Sequence, residues 1–401
     1  MAPSAEPGHT DPSWPDPHAT AQLLKDWAVE EGFTRAGVAR LEPSERGGFY
    51  RRWLESGHHA GMSWMERRIE IREDPSQLLP GSRSVLCVAL QYHPLEGESA
   101  AEGDLWPRVA RYARGRDYHD IMGRGLKRLA ARIREAFPGV ETRPYVDTGP
   151  ILERELAARA GLGAVGKNTN LLHRLWGSWF LLGEILLTLD LPPDTPISDL
   201  CGQCNRCLEA CPTGALPEPY RLDSERCISY WTIEHRGEFS PEVREMVGDW
   251  VFGCDICQEV CPWNHKPRSG TPLPGTEPRL RLPEVRRELD LAGLLALDRE
   301  AFVARFQVSP MKRPKLEGLR RNAAVAMGNR GSKRYVPALS EALKDEENLV
   351  RKHAAWALGK IGGEEAVFLL ERALHEEENE AVRTELRAAL EVARSPCEES
   401  G

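Results

Sequence analysis

Eight of the ten cysteines in this 401-residue chain fall between positions 201 and 261, and nothing else in the sequence restricts its fold so tightly. The first run is Cys201-Gly-Gln-Cys204-Asn-Arg-Cys207-Leu-Glu-Ala-Cys211-Pro212. The second is Cys254-Asp-Ile-Cys257-Gln-Glu-Val-Cys261-Pro262, and Cys227 lies between the two. A cubane iron–sulfur cluster takes four thiolates, so these eight fill two [4Fe–4S] clusters with none left over. Zinc also uses C-x2-C pairs, but a zinc knuckle needs two pairs per ion. It has no use for a third evenly spaced Cys or for the Cys-Pro ending. A disulfide framework does not suit a chain of this length.

The first run has the C-x2-C-x2-C-x3-C-P spacing of bacterial two-cluster ferredoxins, in which the Cys before Pro ligates the other cluster. On that resemblance Cys201, Cys204, Cys207 and Cys261 hold one cluster, and Cys211, Cys227, Cys254 and Cys257 hold the second. Cys227 replaces the leading Cys that the second run lacks. The remaining pair is outside the pattern: Cys87 reads as a small core residue and Cys397 as uninvolved in iron.

The length suggests two or three domains. With 41% hydrophobic and 28% charged residues the chain can bury a core and stay soluble, and no apolar run approaches a membrane span. Residues 1–19 are rich in Pro, Asp and His and read as a disordered lead-in. They lack an apolar signal core and a twin-Arg pair, so the expected compartment is the cytoplasm, where thiolates stay reduced.

From about 20 to 195, helices and strands alternate, which reads as an α/β domain. Helices are expected at 21–31, 46–56, 118–137 and 150–160, and strands at 34–40, 84–91, 142–146 and 179–189. The near-continuous apolar run Ser84–Gln91 marks a strand buried on both faces. A Pro-rich stretch, 191–196, ends this domain; the cluster segment takes 196–265, and a Pro/Gly-rich linker occupies 266–278. The remainder, 279–401, is helical and repetitive. Leu319-Arg-Arg-Asn-Ala-Ala-Val-Ala-Met-Gly328 is echoed by Val350-Arg-Lys-His-Ala-Ala-Trp-Ala-Leu-Gly359, and more faintly by 382–390. A period of about thirty residues suits short HEAT-like helical pairs, too few to stand alone and so expected to pack on the body.

Net charge is −8, which alone argues against a nucleic-acid partner, but the charge is segregated. Basic residues crowd 108–134 and 312–334, the second block including Lys312, Arg313, Lys315, Arg320, Arg321, Lys333 and Arg334. Such a block is either an anion-binding face or a solvated helix surface.

Two glycine-rich or histidine motifs fail on context. Gly161-Leu-Gly-Ala-Val-Gly-Lys-Asn168 matches G-x-G-x-x-G but follows a helix, not a strand, and has Asn where a phosphate loop needs Ser or Thr. Gly161 suits a helix C-cap. Asp117-Tyr-His119-Asp-Ile-Met-Gly123 is one residue too long for the Asp-x-His-x-x-Gly signature of a cobalt-ligating His. Asp147-Thr-Gly-Pro150 reads from its residues alone as a helix cap ahead of a proline, with an acid donor as the sharper alternative.

Several stretches together resemble the epoxyqueuosine reductase family. They are Tyr112–His119, Val146–Leu156, Gly161–Asn168, Gly177–Glu184, Cys211–Ala215, Cys227–Tyr230 and Gly253–Asn264, in one order over nearly the whole chain. The resemblance implies an oxidoreductase with a nitroreductase-like α/β cobalamin-binding domain, a two-cluster ferredoxin-like domain and C-terminal helical repeats. It implies reduction of epoxyqueuosine to queuosine at the tRNA wobble position, the final step of queuosine biosynthesis. The cofactors would be two [4Fe–4S] clusters and a cobalamin without a histidine lower ligand. The clusters would pass electrons singly to a cobalt that becomes strongly nucleophilic when low-valent. By the same resemblance Asp147 is the proton donor, kept protonated by burial beside a corrin. Arg67, Tyr112, Asp147, Lys167, Asn168, Ser178 and Ser229 would line the cobalamin pocket. The basic block from Lys312 to Arg334 would hold tRNA phosphates, an external one-electron donor would serve the clusters, and the chain would be a monomer. The rivals are a reductive dehalogenase acting on a small molecule, and a non-enzymatic electron carrier. The basic repeats weigh against the first, and the long α/β domain against the second.

Overall fold

The computed structural model describes residues 16–92, 107–265 and 290–395. Most of the expected lead-in, the 266–278 linker and Cys397 lie outside them. The first helix begins earlier than the sequence suggested: the Asp16 side chain caps helix α1 (Pro17–Glu30), with proline at its start, where a missing N–H costs nothing.

In chain order the body then contains β1 (Arg35–Arg40), α2 (Gly47–Glu55), α3 (Ile69–Glu73), β2 (Ser84–Gln91), β3 (Arg108–Val109), α4 (Tyr118–Ala136), β4 (Thr142–Tyr145), α5 (Glu153–Arg159), β5 (Ala164–Val165), β6 (Leu171–Leu172) and β7 (Phe180–Leu187). Four strands form the central sheet in the order β1-β2-β7-β4, and every pairing is antiparallel. All of β2 is buried. Its Leu86, Val88 and Leu90 join a core with α1 and α4, while Val85, Cys87 and Ala89 join a second core with α5. A strand covered on both faces is apolar along its middle, here 85–90 between Ser84 and Gln91, each fully buried large apolar side chain contributing roughly 1.5–3 kcal/mol before entropy. Helix α5 comes closest to the sheet at Gly37 of β1, where a Cβ would overlap the Ala160 carbonyl oxygen.

The cluster segment carries α6 (Arg206–Glu209), a short π-helical turn (Tyr230–Glu234), α7 (Pro241–Met246), β8 (Trp250–Phe252) and α8 (Ile256–Glu259). Strand β8 pairs in parallel with β3 and so ties this segment to the body. The tail contains α9 (Leu291–Leu295), α10 (Arg299–Phe306), α11 (Lys315–Arg330), α12 (Val336–Ala342), α13 (Asn348–Ile361), α14 (Glu364–Glu376) and α15 (Glu380–Arg394). The echoed sequences are α11, α13 and α15, which stack in that order; a Cβ on Gly359 would overlap Ala389 of the next helix.

The tail is fastened to the cluster segment by buried polar groups of α11. Arg321 is fully buried and donates to the carbonyls of Trp231, His235 and Gly237, with its guanidinium 3.9 Å from the Phe239 ring centre. Asn322 donates to Thr232 O and Val251 O, and Asn329 to Arg244 O and Gly248 O. Arg244 of α7 makes a two-point ion pair with Glu385 of α15 at 2.5 and 2.9 Å. Among the described residues no helix is long and apolar enough to cross a membrane.

Candidate active site

The site begins with a helix cap. Asp117 accepts from the His119 backbone N–H at 3.1 Å and fixes the first turn of α4, which stacks the Tyr118 and His119 rings 4.2 Å apart. Facing them is the turn that leaves β4. Asp147 sits there with φ +55°, in the left-handed region that a residue with a Cβ enters at a cost of about 1–3 kcal/mol. Its backbone N–H donates to Glu153 Oε1 at 2.5 Å. Its Oδ2 lies 3.1 Å from the Tyr118 hydroxyl, which donates to it, and 3.0 Å from His119 Nε2. His119 Nδ1 is 2.7 Å from Asp117 Oδ1, and Lys312 from the tail reaches Asp117 Oδ2 at 2.7 Å. These groups form a continuous chain, Lys312–Asp117–His119–Asp147, whose last carboxyl is 53% exposed. Asp147 caps nothing, since α5 starts only at Glu153 with Leu152 at its cap position.

The protons in this chain are distributed against expectation. Burial raises the Asp147 pKa, but His119 and the Tyr118 hydroxyl outweigh it and leave the carboxyl below its ordinary value. Burial likewise opposes charge on His119, yet hydrogen bonds and charges from Asp117 and Asp147 push it up to about 9. The Asp117 carboxyl, against its own burial, is held far below the carboxylate range by His119 and Lys312. These shifts favour the proton on His119, between two carboxylates. The chain's own groups thus pull Asp147 in the direction opposite to the rise expected of burial beside a corrin. His119 belongs to a motif set aside for a cobalt ligand, and its role as Asp147's partner is visible only once α4 and β4 meet.

Behind the turn lies a second acidic pair. Glu184 of β7 is fully buried, neither of its oxygens meets a hydrogen-bond donor among the described residues, and the carboxyl of Glu153 on α5 is the neighbour that interacts with it most strongly. Burial, with Glu153 and Asp147 as like charges, holds the Glu184 carboxyl well above its ordinary pKa. Neither residue stands out in the sequence, where they lie 31 positions apart inside longer stretches.

None of the described cysteines is joined in a disulfide. Burial and the nearby Cys201 and Cys261 push Cys207 up to about 11, and Cys261 in turn feels Cys201 and Cys204. Burial and the charges of Cys227 and Cys211 push Cys254 up to about 12, and Cys257 feels Cys254, Cys227 and Cys211. The cysteines thus fall into two neighbouring sets, and burial, with the nearby thiols second, opposes ionisation of Cys207, Cys261, Cys254 and Cys257. That donor set fits two iron–sulfur clusters, which supply cations that favour the thiolates. Cys207 and Cys257 also feel each other, so the two groups adjoin.

Fit to a corrin is divided among the residues named from the sequence. Tyr112 lies within electrostatic reach of Asp147, its hydroxyl strongly raised by burial and by that carboxylate. It also feels Tyr92, whose hydroxyl accepts from Gln258 beside Cys257. Arg67 is exposed and Ser229 partly so. Lys167, Asn168 and Ser178 are buried with their side chains engaged inside the protein. Lys167 Nζ bonds Asn205 Oδ1 at 2.8 Å, Asn168 Nδ2 bonds Cys257 O at 3.2 Å, and Ser178 Oγ accepts from Gln258 and Asn264 at 3.0 Å each. These three brace the body against the cluster loops, and toward a corrin they have backbone to offer more than side chain.

The basic block divides too. Arg321 is the buried anchor described above, and Arg320 is spent on Asp345 and the Leu295 carbonyl, with 16% of its side chain exposed. Neither is available to a phosphate, which corrects their assignment as tRNA contacts. Lys312, Arg313, Lys315, Lys333 and Arg334 are exposed. Arg313 pairs with Glu234 at 2.9 Å, and its charge helps to lower the Asp147 pKa.

Comparison with known proteins agrees with this architecture. Residues 72–148 match the family model described as epoxyqueuosine reductase QueG, DUF1730; residues 200–264 match a 4Fe-4S double cluster binding domain, and residues 316–391 match HEAT repeats. Epoxyqueuosine reductase of Xanthomonas campestris is 41% identical over 84% of this chain and 95% of its own length. That of Escherichia coli is 38% identical over 84% and 88%. A crystal structure of selenomethionine-labelled epoxyqueuosine reductase superposes with a TM-score of 0.85 at 30% identity, covering 94% of this chain and all of the other. A second, of epoxyqueuosine reductase with an epoxyqueuosine-modified tyrosine tRNA stem loop, gives 0.83 at 30% identity over 95% of this chain and all of the other. A third, from Bacillus subtilis with its catalytic aspartate loop swung out of the active site, gives 0.84 at 29% identity, with 94% and 100% covered. Neither the dehalogenase nor the electron-carrier reading is favoured by these matches. This chain is an oxidoreductase with two [4Fe–4S] clusters, and it belongs to the epoxyqueuosine reductase family.

Proposed function

We infer that this chain reduces epoxyqueuosine in tRNA to queuosine, with Asp147 handing the proton to the departing epoxide oxygen. The observation that carries the assignment is the Asp117–His119–Asp147 chain of contacts at 2.7 and 3.0 Å, ending in a carboxyl open to solvent. Converting an epoxide to an alkene breaks two carbon–oxygen bonds and consumes two electrons and two protons, releasing water. When bound, the clusters supply electrons singly, and cobalamin supplies a nucleophilic low-valent cobalt.

The chain's own residues manage the proton. As negative charge develops on the leaving oxygen, the imidazolium proton of His119 is drawn through Asp147 along the 3.0 Å contact. Asp117 and Lys312 hold the ring in register, and Tyr118 holds Oδ2 from the other side. The Asp147 turn is docked in the site here, whereas the corresponding loop of the Bacillus subtilis relative is swung out.

The body is read as a nitroreductase-like cobalamin domain, with Arg67, Tyr112 and Ser229 toward the corrin through side chains and Lys167, Asn168 and Ser178 through backbone. The cluster ligand sets are Cys201, Cys204, Cys207 and Cys261, and Cys211, Cys227, Cys254 and Cys257. The second set lies on the Tyr92 and Tyr112 side, toward the acid. Lys312, Arg313, Lys315, Lys333 and Arg334 are read as phosphate contacts. A cytoplasmic monomer served by an external one-electron donor suits these parts.

Asp147→Asn tests the acid. It keeps size and removes the transferable proton, so the variant is expected to fold, bind its iron and lose turnover by about a hundredfold or more. The readout is conversion of epoxyqueuosine-containing tRNA, followed by nucleoside mass spectrometry. Near-normal turnover would overturn the assignment.

A further inference from the structure

We propose that Glu153 and Glu184 form a buried carboxyl pair sharing one proton, and that this pair latches the Asp147 turn into the active site. The proposal rests on the reading of Asp147 as the acid, and names the residues that position it.

Three observations converge. Asp147 is not a glycine yet holds φ +55°, so its conformation has to be imposed by a contact. The hydrogen bond that meets its backbone N–H comes from Glu153 Oε1 at 2.5 Å. Glu153 opens α5, the helix that packs on the sheet face carrying Glu184. On β7 the side chains alternate, so that Leu182, Glu184 and Leu186 share that face, and Glu184 stands opposite Cys87 on one neighbouring strand and Tyr145 on the other.

Glu184 is fully buried among apolar side chains, without an arginine or lysine paired to it among the described residues. Two carboxyls can join only through a proton that one of them carries, and a second negative charge in this position would be desolvated and repelled by the first. The proton therefore stays with Glu184, which donates to Glu153. Glu153 keeps its negative charge toward the Asp147 N–H. The charged and titratable groups facing the pair are Asp147, Arg154, Arg159, Tyr118, Tyr145 and Cys87, and burial raises the pKa of the Tyr145 hydroxyl as it does those of Tyr118 and Cys87. Arg154 is directed to the Thr169 carbonyl and Arg159 to the backbone of Arg40, so neither neutralises Glu184. Tyr118 and Cys87 are held neutral by burial.

Loss of the shared proton breaks the joint. The two carboxylates repel, Glu153 shifts away, and the turn loses the contact that fixes its left-handed residue. The acid is thereby withdrawn without any change in the corrin or cluster residues.

The test is amide hydrogen exchange over residues 145–150, read by mass spectrometry on the full chain with its clusters in place. It does not depend on Asp147 acting as the acid, which the Asp147→Asn turnover assay addresses separately. Glu153→Ala is expected to speed exchange in this segment at least tenfold at neutral pH, while Glu153→Gln, which keeps a carbonyl acceptor, stays closer to the wild type. The wild-type segment is expected to loosen further as pH rises, beyond the intrinsic increase in exchange. Glu184→Gln, which keeps the donor and cannot ionise, is expected to abolish that extra pH dependence. Exchange in Glu153→Ala equal to the wild type overturns the latch. A Glu184→Gln profile that tracks the wild type overturns the shared proton. Should that variant not fold, a wild-type segment with no extra pH dependence overturns the shared proton equally.

Discussion

At the scale of single residues the chemistry is decided by which group keeps a proton. His119 is pushed up to about 9 from an ordinary value of 6.5, because two carboxylates flank it. A raised histidine stabilises the folded state fully below the ordinary value, and that contribution is lost as pH rises through about 9. Turnover should follow the same group, holding through neutral pH and falling as the imidazolium discharges near 9. His119→Asn is expected to remove that alkaline limb and to lower turnover by roughly tenfold or more. A pH–rate profile of the variant with the same limb would show that the proton comes from another group. Asp147 was readable from the sequence as a candidate because its stretch resembles a known one. His119 was not, because the resemblance that first came with it was to a cobalt ligand. Its relation to Asp147 is made by a contact between α4 and the β4 turn that no spacing encodes.

At the scale of elements, periodicity carried far. The run 84–91 is a strand over those same residues, and the helix expected at 118–137 ends one residue sooner. The short pieces were invisible: β3 and β8 are too brief to show a period, and they meet only because the cluster segment folds back on the body. Charge was the poorest guide. In α11 Arg320 and Arg321 look like a surface pair, but helical geometry turns Arg321 inward onto three carbonyl oxygens. Arg321→Met keeps much of the volume and leaves those carbonyls unpaired, so it should cost about 3 kcal/mol of stability. Chemical denaturation would register this as a lower midpoint at unchanged slope. A change within about 0.5 kcal/mol is the behaviour of a surface site and would contradict the packing described.

At the scale of the whole molecule, the tail is the element through which the proposed tRNA contacts and the proposed acid would meet. Helix α11 is bolted to the cluster segment, and the loop before it sends Lys312 to Asp117 and Arg313 to Glu234, beside the acid. On the proposed reading, a tRNA held by this face would be brought toward Asp147 by the element whose Lys312 also pairs with Asp117. Phosphate contacts give affinity and register, and each one lost lowers the slope of log affinity against log salt by roughly one. Arg313→Gln with Lys315→Gln should weaken tRNA binding and flatten that slope by about two. Iron content should stay normal, and turnover should recover in part at high tRNA concentration. Arg320→Gln, whose guanidinium is committed to Asp345, should leave the slope where it was. The contrast matters more than either result, because both changes remove charge from the same block. Equal slopes in the two variants would mean that this face is merely solvated and that the tRNA approaches from another side.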